Sequence, residues 1–215
     1  MSTPQTMNKE KIGIFGGTFD PPHIGHQILA MEAYAEMNLD ALFWVLAPQP
    51  PHKQGKQITS LEIRIEMVKE AINEDPIFKF SSVDISRPGP HYVVDTMRIF
   101  RSLYPTAELF FIMGGDSLHD LATWHAAREF VDACDRFGVM HRPGEVIELS
   151  EIEKALPGIT SKIHFIEAPL LEISSNQIRK LVSEGKPFRY YLPKAVYDIV
   201  VRQDLYLHTE NKNQK

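Results

Sequence analysis

With 215 residues, 43% hydrophobic and 24% charged, the chain has the make-up of one globular domain with enough apolar material for a substantial core. A formal net charge of −5 argues against non-specific binding to nucleic acid or acidic membranes, while leaving room for a local positive pocket. The lone Cys134 excludes an intrachain disulfide and fits a reducing compartment. No apolar run is long enough to cross a bilayer, and the polar stretch Met1 to Glu10 has no signal core, so a cytoplasmic location is expected.

In chain order, residues 1–10 read as a frayed terminus, 11–207 as one domain and 208–215 as a polar tail. The first strand is expected at Lys11–Phe15. It runs into Gly16-Gly17-Thr18-Phe19-Asp20-Pro21-Pro22-His23-Ile24-Gly25-His26 and a helix over Gly25–Met37. Further strands are expected at Leu42–Ala47, Phe78–Val83, Glu108–Met113, Arg136–Met140 and Ile163–Ala168. Further helices are expected at Leu61–Asn73, Val93–Leu103, Leu118–Ala122, Ala126–Ala133, Asn176–Glu184 and Pro193–Arg202. The acidic region 144–159 reads as an irregular or helical excursion. Continuous apolar strands alternating with helices imply an α/β fold: a doubly wound, mostly parallel sheet.

In such sheets ligands bind beyond the carboxyl ends of the strands. The first end carries the glycine-rich loop and two histidines three apart, on one face of a helix start. Backbone N–H groups and the positive dipole end favour an anion there, and imidazoles add donors. The second end carries Pro50-Pro51-His52-Lys53, and the fourth Gly114-Gly115-Asp116. The fifth carries His141-Arg142, and the sixth Ile173-Ser174-Ser175-Asn176-Gln177-Ile178-Arg179. In that last segment Ser175 is placed to cap a helix and Arg179 lies on the same face, making a second anion site. An acidic chain that gathers His23, His26, His52, Lys53, Arg142 and Arg179 on one rim is built for a polyphosphate. Asp116 is placed to accept hydrogen bonds from sugar hydroxyls.

Each residue also has a plainer reading. Ser175 alone is a cap, Arg179 a surface cation, Asp20 a turn residue, and Trp124 and Tyr92 core aromatics. The convergence of the loops carries the ligand reading. No third His or Cys stands at metal spacing, so the protein itself is expected to hold no metal. The glycines match neither the dinucleotide fingerprint nor the P-loop.

These motifs, in this order from Lys11 to Tyr206, resemble those of the bacterial nicotinate-nucleotide adenylyltransferases, in the nucleotidyltransferase superfamily that carries the HxGH signature. The resemblance implies a Rossmann-like nucleotidyltransferase fold. It implies transfer of AMP from ATP to nicotinate mononucleotide, with magnesium accompanying the ATP, in NAD synthesis. On that basis His23, His26 and Arg179 are the catalytic residues. Gly16, Gly17, Thr18, Phe19, Gly114, Asp116, Arg142, Ser174 and Ser175 join them around ATP. Thr18, Phe19, Asp20, His52, Lys53, Tyr92, Val93 and Trp124 surround the mononucleotide, with Trp124 stacked on the pyridine ring. The partners are ATP and the mononucleotide, with no nucleic acid and no membrane; a homo-oligomer is permitted but not specified.

Two departures stand out. The family usually has Ser-Tyr-Thr where this chain has His91-Tyr92-Val93, and threonine where it has Asn176. Valine keeps the backbone N–H but loses a hydroxyl, which loosens the preference for nicotinate over nicotinamide mononucleotide. Phosphopantetheine adenylyltransferases are a rival, but they look shorter and have threonine at the position of His23. Class I aminoacyl-tRNA synthetases share HxGH, but no Lys-Met-Ser-Lys-Ser follows here. A non-catalytic nucleotide sensor is opposed by the intact His23, His26 and Arg179.

Overall fold

A computed structural model describes residues 9–49, 58–140, 147–169 and 172–207. Six strands form one sheet: β1 (Lys11–Gly17), β2 (Ala41–Leu46), β3 (Phe78–Ser81), β4 (Glu108–Gly114), β5 (Arg136–Met140) and β6 (Ile163–Ile166). Their order is β3-β2-β1-β4-β5-β6, and every pairing is parallel. Among the described residues eight α-helices accompany them: α1 (Ile24–Glu36), α2 (Leu61–Ile72), α3 (Val93–Leu103), α4 (Gly115–Asp120), α5 (Ala127–Ala133), α6 (Leu149–Ala155), α7 (Ser175–Ser183) and α8 (Lys194–Arg202).

The central strands β1, β2 and β4 are buried on both faces, which is why they read as unbroken apolar runs, whereas the edge strands β3 and β6 expose Lys79, His164 and Phe165. Successive side chains nevertheless serve opposite layers. Phe15, Leu42, Trp44 and Ile112 join α1, α2, α7 and α8 in one core. Ile14, Val45, Phe111 and Met113 join α3, α4, α5 and α6 in the other. The sheet is therefore doubly wound, and its strand order reverses between β1 and β4. That reversal is where an open α/β sheet leaves a crevice at its carboxyl edge.

The acidic region, expected to be irregular or helical, holds helix α6 among its described residues, with Ile152 buried in the second core. Two expectations need correction. Helix α4 starts at Gly115, not Leu118, so Asp116 lies in its first turn rather than in a loop. Helix α7 begins at Ser175, and the cap is Ser174, whose extended backbone lets its hydroxyl accept the Gln177 N–H at 3.2 Å. Among the described residues, no helix is long and apolar enough to cross a membrane.

Candidate active site

A cleft of about 320 Å³ opens where β1 and β4 part. Its floor is the end of these strands, at Phe15, Gly16, Met113 and Gly114. One wall is the start of α1, with His23, Gly25 and His26. The opposite wall carries Asp116, Ser117 and Trp124. The start of α7 closes the rim with Ser174, Ser175, Asn176 and Arg179.

The two imidazoles are held against one another and against the aromatic rings beside them. His23 is the residue before α1, in extended conformation (φ −140°), and is 6% exposed. Its backbone N–H donates to His26 Nδ1 at 3.1 Å. A neutral His26 that accepts at Nδ1 carries its proton on Nε2, which makes Nε2 a donor. The rings stack with centroids 3.6 Å apart and planes 22° from parallel. Beneath them Phe19 meets His26 edge-on at 5.1 Å, and Phe15 lies 5.9 Å away.

Two glycines make this packing fit. A Cβ on Gly25 would sit 3.1 Å from His23 Nδ1 and 3.2 Å from Cε1, so the ring occupies the space a side chain would take. A Cβ on Gly17 would come within 2.7 Å of the Phe19 ring, which folds back under the loop from a left-handed backbone (φ 49°).

Charge is distributed to receive an anion. The first turns of α1 and α7 contain no acidic residue, and both helix starts open on the cleft. Their dipoles and first-turn amides favour negative charge there. Among the described residues, the one carboxylate lining the cleft is Asp116, in the first turn of α4 on the far wall. Ser175 Oγ donates to the Pro21 carbonyl at 2.9 Å, and Arg179 Nη1 donates to the Asp20 carbonyl at 2.6 Å. A second Arg179 nitrogen donates to Asn176 Oδ1. The arrangement can grip a chain of phosphates between two helix starts, with imidazole and guanidinium donors at either end.

The chain matches the cytidylyltransferase-like family over residues 14–181. Probable nicotinate-nucleotide adenylyltransferases of Thermomicrobium roseum and Thermus thermophilus are 40% and 39% identical to it over 200 and 196 residues. These matches cover 93% and 91% of this chain, and 93% and 99% of those proteins. The chain belongs to the nicotinate-nucleotide adenylyltransferase family. The fold is shared with a solved Plasmodium falciparum nicotinic acid mononucleotide adenylyltransferase complexed with NaAD: TM-score 0.74, 23% identity, 94% of this chain and 100% of that one.

The structure brings Gly16, His23, His26, Gly114, Asp116, Trp124, Ser174, Ser175 and Arg179 to one cleft, and leaves other expected residues off its wall. Phe19 is buried as a support for His26. Asp20 is 4% exposed; its carboxylate accepts from the Tyr206 hydroxyl at 2.7 Å and the Thr59 N–H at 3.3 Å. Gly17 and Thr18 lead from the cleft floor toward it. Tyr92, just before α3, stacks on His125 with centroids 3.9 Å apart, next to Trp124 in the chain. Val93 packs on the second core. Trp124 itself is half-buried, tilted against Phe130 at 5.7 Å. His52, Lys53 and Arg142 lie outside the described residues.

Two residues not foreseen from the sequence hold the site from below. Arg64, 2% exposed, donates to the carbonyls of Thr18, Ala47, Pro48 and Thr59 at 2.7–3.1 Å. One guanidinium thereby ties the turns after β1 and β2 to the start of α2. Burial lowers its pKa, and the nearby Asp20 opposes that shift. A signal existed: Arg64 interrupts the apolar face formed by Leu61, Met67, Val68 and Ala71. The second is Tyr206, whose phenol pKa is raised by burial and by the Asp20 carboxylate. Its position 186 residues from Asp20 gave no local hint.

Proposed function

We propose that this chain transfers AMP from ATP to nicotinate mononucleotide, releasing nicotinate adenine dinucleotide and pyrophosphate, in NAD synthesis. The observation that carries this reading is the single cleft on which a stacked imidazole pair and two acid-free helix starts converge, opposite one carboxylate. One catalytic domain over residues 11–207 performs the reaction.

The mononucleotide phosphate attacks the α-phosphorus of ATP in line. A P–O bond forms to the attacking oxygen, and the bond to the bridging oxygen breaks, sending its electron pair to pyrophosphate. A phosphate dianion is already a competent nucleophile, so no general base is needed. Catalysis is positioning plus neutralisation of charge moving toward the leaving group. His23 and His26 hold the α- and β-phosphates and receive the developing charge, with His26 Nε2 as donor. Ser174, Ser175 and Arg179 hold the β- and γ-phosphates. Asp116 accepts from the ATP ribose, and Gly16 and Gly114 let the nucleotide lie close to backbone.

Arg142 is assigned to the ATP tail, and His52 and Lys53 to the incoming phosphate, by motif. Trp124 stacks on the pyridine ring, with Tyr92 and Val93 at its edge. Gly17, Thr18, Phe19 and Asp20 act through the shape of their loop. Among the described residues no three His, Cys, Asp or Glu side chains converge to hold a metal. Magnesium, a hard ion that prefers phosphate oxygens, would accompany the ATP and would help neutralise the charge of the pyrophosphate leaving group.

The test is pyrophosphate release from ATP with nicotinate and nicotinamide mononucleotides side by side. The expected outcome is turnover with a kcat/KM preference of about ten-fold or more for nicotinate. A preference for the amide overturns the substrate assignment; turnover with phosphopantetheine alone, or with nothing, overturns the reaction.

A further inference from the structure

After α8 the chain turns back on itself. Leu205 N–H donates to the Val200 carbonyl at 3.1 Å, and Asp204 N–H to Val201 at 3.3 Å. The turn places two non-glycine residues in the left-handed region: Asp204 at φ 48° and Tyr206 at φ 64°. A bulky tyrosine there is held against a local cost of order 1 kcal/mol, and such positions cluster where the surrounding structure uses the residue.

The use is visible. The phenol reaches the almost fully buried Asp20 and donates to its Oδ1 at 2.7 Å. Asp20 stands at a junction. The Thr59 N–H donates to its other carboxylate oxygen at 3.3 Å, and Arg179 donates to its backbone carbonyl at 2.6 Å. The next carbonyl, Pro21, takes the Ser175 hydroxyl. Two residues further on stands His23. The hydroxyl is thus one hydrogen bond from Asp20, and the Asp20–Pro21 backbone is one hydrogen bond from two side chains on the cleft rim.

We propose that Tyr206 is a positioning residue for adenylyl transfer: its hydroxyl holds Asp20, and the Asp20–Pro21 backbone in turn sets Arg179 and Ser175 against the cleft. This rests on the reaction proposed above. It predicts a transition-state effect exerted through Arg179, from a residue that does not line the cleft.

The experiment compares Tyr206→Phe, Arg179→Lys and the double variant in the full chain, by pyrophosphate release from ATP and nicotinate mononucleotide. Tyr206→Phe is expected to lower kcat about ten-fold while shifting the KM for ATP by less than about three-fold. In the Arg179→Lys background the same substitution is expected to cost less than about two-fold, because the group it positions is already displaced. Leu205→Ala, which loosens the same turn but keeps the hydroxyl, is expected to lower the melting temperature and hold kcat within about two-fold. The proposal is overturned by an unchanged kcat in Tyr206→Phe, or by an undiminished loss in the Arg179→Lys background. An equal kcat loss in Leu205→Ala, or failure of Tyr206→Phe to fold, also overturns it, since the turn would then matter for stability alone. An inactive wild-type chain would instead overturn the reaction itself.

Discussion

Gly25→Ala separates stability from function at this site. The new Cβ would lie 3.1 and 3.2 Å from two atoms of the His23 ring, and 3.6 Å from Ile173 Cβ. Comfortable contact begins about 3.5 Å apart, so the ring must move by roughly 0.3–0.5 Å. Its movement is restricted, because it stacks on His26 with centroids 3.6 Å apart, and His26 is itself held by the His23 N–H and by Phe19. Overpacking of this kind costs about 1–2 kcal/mol, while replacing glycine in a helix gains up to about 1 kcal/mol. The net change in stability is therefore near zero to about −2 kcal/mol, or a melting temperature lowered by no more than about 8 °C. Activity has no such compensation. Transition-state groups must sit within about 0.5 Å of their working positions, and a 1 Å error costs about 100-fold. We expect kcat to fall about ten-fold at saturating ATP and mononucleotide, measured by pyrophosphate release, beside a circular dichroism melt of the same sample. Full kcat in a folded Gly25→Ala chain would refute the claim that the stack's position matters to the reaction.

Two further outcomes follow from the network beneath the cleft and from the far end of the sheet. Arg64→Met leaves four carbonyls without their donor and should cost about 3–5 kcal/mol, lowering the melting temperature by about 6–20 °C; a drop under about 3 °C would show that these bonds are easily replaced. Glu153 accepts from the Gly158 and Thr160 N–H groups and the Thr160 hydroxyl, which hold its pKa below 4.5. Because the folded pKa is depressed, this stabilisation is present above pH 4.5 and is lost as pH falls through the folded value. Glu153→Gln should therefore melt below wild type at pH 7, with the gap closing under acid; a gap that stays constant from neutral pH to about pH 3 contradicts this.

Much of the fold was legible because parallel strands buried on both faces leave unbroken apolar runs, as at Ile12 to Phe15 and Leu109 to Met113. The rim was legible for a related reason. His23 and Asp116 follow the ends of β1 and β4, Arg179 lies on the helix that follows β6, and in a doubly wound sheet those ends meet. The start of α4 was missed because Gly115-Asp116-Ser117 carries turn-type residues whose preference is overridden by packing, with Gly115 and Leu118 buried. The partners of Asp20 were hidden for a different reason. A carboxylate in a polar loop reads as available for ligand, and only three dimensions reveal that Tyr206 and Thr59 already occupy it. Arg64 illustrates the same limit from the opposite side. Its place on an apolar helix face was visible, but its four acceptors come from three separate stretches of chain.

The alternation of side chains along β1 and β4 has a mechanical meaning. Helices α1 and α7, which present His23, His26 and Arg179, are rooted in one hydrophobic hemisphere; α4 and Trp124, which present Asp116 and the indole, are rooted in the other. The sheet separates the two cores, and residues from both sides line the cleft at the mouth between these strands. Whatever lies there with its tail on one side and its sugar on the other acts as a rivet through both halves of the molecule.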